Sequence, residues 1–374
     1  MSRLPQRLLA VLLLVSALVV ALGVRAISAA DGRETGLIEP RVALYWETVG
    51  DDHVRCLLCP RRCVVAPGGR GHCGVRENRG GAYYTLTYGN PCAVHVDPIE
   101  KKPFYHFLPT STAFSIATAG CNLDCKFCQN WHISQALPED TRNYALPPER
   151  LVELAVGNGC RSIAYTYSEP TIFYEYMLDT AKLARERGIR NVLHSNGYIN
   201  PEPLRELCAY IDAANIDLKG MSEGYYREMT GGSLAPVLAS LVTLVECGVH
   251  VEITTLIVPG ENDGPEMIEE MCRWIHDELG PDVPLHFSRF HPQYRLGNLA
   301  PTPVETLDRA RAVALEQGLK YVYIGNVPGH EAGNTYCPQC GELLIRRIGY
   351  SVDLEGISAG SCLSCGHPIE GIWD

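Results

Sequence analysis

Between Ala113 and about Val327 the chain repeats one unit, a short apolar run followed by an amphipathic stretch. The strand candidates are 113 to 118, 162 to 167, 190 to 195, 213 to 218, 249 to 257, 284 to 290 and 320 to 324. Helical periodicity marks 172 to 187, 234 to 247, 265 to 279 and 303 to 317, and Gly188, Gly248, Gly280 and Gly318 stand where these helices would stop. Thr302-Pro303-Val304-Glu305 predicts a capping box with Pro at the first helical position. Such alternation implies parallel strands joined by helical crossovers. The expected fold class is therefore α/β, a partial or complete parallel (β/α) barrel, whose chemistry lies in the loops after the strands' C-terminal ends. Tyr83 to Tyr88 alternates enough to add a strand leading into the barrel.

The first of those loops is the most informative. It reads Cys121-Asn122-Leu123-Asp124-Cys125-Lys126-Phe127-Cys128, three thiols leaving a buried strand. A structural zinc takes four protein ligands, and no fourth Cys or suitably spaced His follows closely. A ferredoxin run would continue to a fourth Cys and Pro, whereas Gln129, Asn130 and Trp131 come next. Three thiolates suit a [4Fe-4S] cluster with one iron left open to a small chelating molecule.

Other polar groups fall at the same mouth. They are Tyr167-Ser168-Glu169-Pro170-Thr171, Ser195-Asn196-Gly197-Tyr198, Asp217-Leu218-Lys219-Gly220, Pro259 to Asp263, His286 to His291 and Gly325-Asn326-Val327. Each alone has a plain structural role: Glu169 as a helix cap, Asp217 with Lys219 as a solvated pair, the glycines as turns. Their shared position beside the three-Cys loop favours a site.

The Cys-x3-Cys-x2-Cys spacing with Phe127 before the last Cys resembles the signature of radical S-adenosylmethionine enzymes. That resemblance implies a cluster that cleaves S-adenosylmethionine to a 5'-deoxyadenosyl radical, which takes hydrogen from a substrate. By likeness to the activase branch, Ser168 and Glu169 sit in the segment that holds the methionine amine. Asp217 and Lys219 match the motif that reaches ribose and carboxylate, Ser195 and Asn196 match the Thr-Asn-Gly turn, and His291 matches a His near the ribose. Two positions depart from the pattern: Tyr167-Ser168-Glu169 stands for Gly-Gly-Glu, and His194 for an acidic residue. More narrowly, Cys56-x2-Cys59-Pro60, the Gly-Arg-Gly-x-Cys-Gly run ending at Gly74, Cys128-Gln129-Asn130-Trp131 and Tyr167-Ser168-Glu169-Pro170-Thr171 resemble the radical enzyme of the AmmeMemoRadiSam system. This covers roughly residues 40 to 335. It implies kinship with pyruvate formate-lyase activating enzymes, reduced ferredoxin or flavodoxin as electron donor, and Memo-like and AMMECR-like partners.

The flanks carry most of the remaining cysteines. Of 16 in the chain, four lie near the N-terminus, three in the central loop and four near the C-terminus. Cys56, Cys59, Cys63 and Cys73 have spacings that admit zinc or a cluster, with His72 as an alternative ligand, or no metal at all. Cys337-x2-Cys340 and Cys362-x2-Cys365 read as a structural zinc ribbon, with rubredoxin-like iron the minor alternative. Cys92, Cys160, Cys208, Cys247 and Cys272 read as core or helix positions, Cys92 being the one to watch as a hydrogen donor facing the cavity. The expected domains are a signal or anchor segment at 1 to 30, a Cys-rich region at 40 to 108, the core barrel at 109 to 330 and the ribbon at 335 to 374.

The apolar run Leu8 to Val24 is short for a membrane span and long for a signal core. Both S-adenosylmethionine and a strong reductant are cytoplasmic supplies, which favours a membrane tether with a cytoplasmic catalytic body over export by a cleaved signal. A formal net charge of -11 gives no support to nonspecific nucleic-acid binding. Two further functions remain open at this stage: a glycyl radical activase, and a noncatalytic iron-sulfur and zinc carrier or scaffold.

Overall fold

A computed structural model describes residues 33–35, as backbone, and 40–374. The signal or anchor expectation for residues 1 to 30 lies outside the described residues. No single helix among the described residues is long and apolar enough to cross a membrane.

The centre is one eight-stranded sheet: β1 (Ala93–Pro98), β2 (Thr112–Ala117), β3 (Ser162–Tyr165), β4 (Arg190–Ser195), β5 (Ala213–Asp217), β6 (His250–Ile257), β7 (Leu285–Arg289) and β8 (Val322–Gly325). Its strands lie in chain order, with β1 antiparallel to β2 and all later pairs parallel. The crossovers are α1 (Pro148–Gly157), α2 (Tyr174–Glu186), α3 (Pro201–Cys208), α4 (Ala235–Glu246), α5 (Pro265–Leu279) and α6 (Val304–Glu316). Helices outside and a filled interior bury both faces, so β3 is buried at all four residues.

The strand expected at Tyr83 to Tyr88 forms only as Ala82–Thr85, and it does not lead into the barrel. It joins Arg41–Val42 and Arg76–Arg79 in a small antiparallel sheet. Strand β1 takes the leading position instead. The capping box at Thr302 is also absent: Pro303 is the N-cap of α6, without a side-chain cap bond. The Thr302 hydroxyl donates to Ile257 O at 2.5 Å and accepts from Phe290 N at 3.1 Å, so it fastens the loop to the barrel rather than to the helix.

The barrel has a plugged end and an open end. Ala113, Ala164, Val192 and Ala213 form one small-residue layer, and Ile99, Phe104, Phe107 and Leu108 fill the space it leaves. Burying each phenyl ring contributes about 2–3 kcal/mol. At the other end the strands finish around a cavity. Around β8, Tyr321 and Tyr323 pack with Leu344, Ile345, Ile357 and Ile369 of the C-terminal ribbon. That ribbon consists of the strands Thr335–Tyr336, Leu343–Ile348 and Ser351–Leu354 and a hairpin of Ile357–Ser358 with Ser361–Cys362.

Candidate active site

A cavity of ≈ 1000 Å³ opens at the C-terminal ends of the strands, and Cys121, Cys125 and Cys128 all line it. The loop that carries them is fixed from every side. Gly120 has φ +95°, and a Cβ there would lie 2.7 Å from Cys73 O, so the chain passes under the Cys-rich region only as glycine. Asp124 N and Lys126 N donate to Thr230 O and Met229 O at 2.8 and 2.9 Å, and Asn122 Nδ2 to Tyr198 O at 2.7 Å. Leu123 N lies 3.4 Å from Cys121 Sγ, and the Ser134 hydroxyl 3.2 Å from Cys128 Sγ.

Burial pushes the Cys121 thiol well up and the Cys125 thiol up to about 12, although Lys219 works against the latter. Apolar surroundings alone would keep these thiols protonated; a bound cation deprotonates a coordinating thiol outright. Among the described residues, the group of ligand atoms drawn within 4.8 Å of one another is Cys337, Cys340, Cys362 and Cys365. The central sulfurs are more widely set, as suits thiolates that each take their own iron. The donor set therefore fits a multi-iron cluster.

Around this loop the expected contacts are present and already organised. Glu169, 1% exposed, accepts from Thr171 N at 2.9 Å, from the Ser195 hydroxyl at 2.7 Å and from Asn196 N at 2.9 Å. It is a cap and a cavity residue at once. Burial holds its carboxyl above the usual range in spite of these donors. Ser195 and Asn196 line the cavity too, yet they spend their donors on Glu169 and on Asn122 Oδ1, the latter at 2.9 Å. Ser168 Oγ is buried and has no partner among the described residues, which leaves it free for a ligand.

Asp217 accepts from Lys219 Nζ at 2.8 Å and faces His194 Nε2 at 3.2 Å. Burial would raise the Asp217 carboxyl, but Lys219 and His194 hold it well below the usual carboxylate range. Burial likewise opposes the charge on Lys219, and Asp217 with Cys125 more than restores it. His194, standing where the resemblance puts an acid, thus leans on the acid of the next strand. Phe127 lies under the ammonium of Lys219, 5.7 Å from ring centroid to Nζ, and His291 sits exposed at the rim. Cys92 is not among the lining residues.

Sequence reasoning missed a second polar layer. Tyr167 has φ +63°, left-handed for a bulky residue, at a cost of about 1–3 kcal/mol. Its hydroxyl donates to Asp97, Lys102 Nζ lies 4.1 Å from its ring centroid, and Asn130 Nδ2 donates to its carbonyl at 2.8 Å. Lys102, 1% exposed, pairs with Asp97 at 2.6 Å; burial brings its ammonium down to about 8. From the ribbon, Arg347 reaches the cavity with its guanidinium 4.0 Å from the Tyr105 ring centroid. No sequence signal marked this layer: the strand expected over 162 to 167 ends at Tyr165, before the left-handed Tyr167.

The family described as the Radical SAM superfamily matches residues 115–275. The chain is 47% identical over 332 residues to the "Uncharacterized protein MJ0808" of Methanocaldococcus jannaschii, spanning 88% of this chain and 99% of that one. It is 24% identical over 224 residues to a pyruvate formate-lyase-activating enzyme of Clostridium pasteurianum, covering 54% and 87% of the two chains. A solved domain of a pyruvate-formate lyase-activating enzyme from Bacteroides vulgatus superposes with a TM-score of 0.40 at 16% identity, covering 44% of this chain and 99% of that one.

Proposed function

Because the chain belongs to the radical SAM superfamily, we propose that Cys121, Cys125 and Cys128 hold a [4Fe-4S] cluster and that the cavity beside them binds S-adenosylmethionine and a substrate. When bound, the cluster supplies the electron that cleaves S-adenosylmethionine to methionine and a 5'-deoxyadenosyl radical, which takes hydrogen from the substrate. The chain's own groups bind, orient and exclude water. Glu169 and the unpartnered Ser168 hydroxyl face the cationic amine, while Lys219, its charge kept by Asp217, faces the carboxylate and ribose. The observation that carries this reading is the convergence of the three-Cys loop with Glu169, Asp217 and Lys219 on one cavity. Its ≈ 1000 Å³ stands at the upper end of the roughly 300–1,000 Å³ of small-molecule sites, which leaves room for more than one ligand.

Radical SAM activases take their electron from reduced flavodoxin or ferredoxin, and that donor class is adopted here. The AmmeMemoRadiSam role, with Memo-like and AMMECR-like partners, rests on the N-terminal and central motifs together. Zinc is assigned to Cys337, Cys340, Cys362 and Cys365. The cytoplasmic supply of reductant and S-adenosylmethionine puts the catalytic body on that side of a membrane, tethered through residues 1 to 30.

The test uses the full chain, purified without oxygen, reconstituted with iron and sulfide, and given dithionite and S-adenosylmethionine. 5'-Deoxyadenosine is expected from the parent and none from Cys125→Ala. Its absence from a parent with an intact reducible cluster would leave only the carrier or scaffold role. A second reading, the glycyl radical activase, is favoured by the likeness to the Clostridium pasteurianum enzyme. It requires a companion protein that gains a glycyl radical signal on incubation, and no such signal in any encoded neighbour would remove it.

A further inference from the structure

We propose that Cys56, Cys59, Cys63 and Cys73 hold a second iron-sulfur cluster of the four-iron class, which passes single electrons to the Cys121 to Cys128 site. The relay half rests on the function proposed above; the metal half does not.

A strand end, the turn after it and one further loop bring these sulfurs together. Cys56 ends the strand Val54–Cys56 and its N donates to Cys63 O at 2.9 Å. Arg62, at φ +44°, makes the turn between Cys59 and Cys63. His72 N lies 3.5 Å from Cys63 Sγ, which draws the Cys73 loop onto the same group. Cys59 and Cys73 each lie close enough to Cys56 and Cys63 to interact with them electrostatically. Each sulfur has an N–H directed at it: Arg76 Nη1 at 3.3 Å for Cys56, the Arg61 backbone for Cys59, His72 N for Cys63 and the Val75 backbone for Cys73. Such donors tune the potential of a cluster.

An independent sign of a ligand is the Tyr83 hydroxyl. Tyr83 is 0% exposed and its OH has no partner among the described residues. It lies 2.7 Å from the point where a Cβ on Gly71 would stand, and Cys63 Sγ lies 3.9 Å from that same point. A buried donor left unpaired costs about 1–3 kcal/mol, which an acceptor on a bound cluster removes.

Spacing favours several irons over one ion. Tetrahedral zinc with bonds of about 2.3 Å sets its sulfurs about 3.75 Å apart. In the C-terminal group Cys337 and Cys365 are 3.6 Å apart and Cys340 and Cys362 3.7 Å. The N-terminal sulfurs do not draw in to a 4.8 Å group, although the C-terminal four do. Their wider setting, shared with the central loop, suits a cube in which every thiolate has its own iron.

The place of this group suits a relay. Cys73 O lies 2.7 Å from the position of a Cβ on Gly120, next to Cys121, so the α-carbons of Cys73 and Cys121 are within about 10 Å by standard bond lengths. Arg61 Nε donates to Asn122 O at 2.5 Å, and His72 Nε2 meets Asp124 Oδ2 at 2.9 Å. A one-electron donor of the ferredoxin or flavodoxin class reduces the N-terminal cluster by one electron. That electron passes on, the N-terminal cluster returns to its oxidised state, and no bond or proton changes in the relay.

The experiment reconstitutes the full chain without oxygen as parent, as Cys121→Ala/Cys125→Ala/Cys128→Ala, and as Cys59→Ala/Cys63→Ala. Iron, acid-labile sulfide and zinc are counted, and the dithionite-reduced spectra are recorded by electron paramagnetic resonance. The parent is expected to hold about eight irons, and either variant about four. The signal of the triple variant should not respond to S-adenosylmethionine. A parent with about four irons, and a triple variant with zinc but no iron or sulfide, overturns the second cluster. The parent count alone decides this if a variant fails to fold. For the relay, 5'-deoxyadenosine formation with a reduced ferredoxin is expected to fall relative to that with dithionite in Cys59→Ala/Cys63→Ala. An unchanged ratio overturns the relay. A parent that makes no 5'-deoxyadenosine while the triple variant keeps its irons removes the proposed function and leaves the second cluster standing.

Discussion

The N-terminal and C-terminal cysteine groups each offer four thiols and each begin with Cys-x2-Cys, yet the fold treats them differently. The C-terminal four close to 3.6 and 3.7 Å, with Cys340 and Cys365 exposed. The N-terminal four stay wider and lie over a buried ion pair, Arg76 with Glu175, at 1% and 3% side-chain exposure. Spacing along a chain thus says that thiols can meet; what surrounds them says how closely. The two knuckles sit on short hairpins and draw together, whereas the N-terminal loops lie against a barrel helix and stay apart.

The largest expected difference between the two groups is metal removal. Cys337→Ala/Cys362→Ala should loosen the tail by several kcal/mol, because the binding energy of the zinc proposed there would be folding energy. Early amide exchange confined to residues 335–374 would report it, and uniform exchange across the chain would contradict a separate knot. Next, Arg76→Met should cost about 3–5 kcal/mol in denaturant unfolding, because it strands the Glu175 carboxylate in the interior beside the N-terminal sulfurs. A loss under 1 kcal/mol would mean that the pair is not buried as described.

Acid should then act through the seat of the tail. His106 Nδ1 donates to Glu370 O and its neutral Nε2 accepts from the Tyr323 hydroxyl, each at 2.6 Å, and burial brings its imidazole from 6.5 down to about 4. The unfolded chain therefore binds the extra proton between these values, and stability falls as pH drops from 6.5 toward 4, by about 3 kcal/mol in all. His106→Asn should flatten that part of the pH–stability curve. The smallest effect is expected of Tyr83→Phe, which removes an unpaired hydroxyl: stability of the metal-free chain should hold or rise by about 1 kcal/mol, while the reduced N-terminal spectrum shifts.

Much of the barrel was legible because parallel strands buried on both faces are continuous apolar runs. Candidates at 190 to 195 and 265 to 279 coincide with β4 and α5. Helices α1 and α3 were not among the helical candidates; both open on prolines, Pro147-Pro148 and Pro201-Glu202-Pro203, which a first helical turn tolerates because no N–H is needed there. Strand β1 escaped because His95, Asp97 and Pro98 interrupt its pattern, as an edge strand permits. In the site, the motif residues Glu169, Asp217 and Lys219 were readable from their offset after strands. Asp97 and Lys102 were not, because nothing local couples a residue of β1 to a tyrosine seventy positions later.

Arg347 gives the tail a second significance. Its guanidinium is bound to Gly333 O, Thr335 Oγ1 and Tyr105 O at 3.2, 2.8 and 2.9 Å, which sets one wall of the chamber from a segment more than two hundred residues beyond the cysteine loop. The tail therefore contributes one part of the cavity wall, beside the strand-end residues of the barrel that form the rest. A change confined to residues 335–374 would alter that wall without touching Cys121, Cys125 or Cys128.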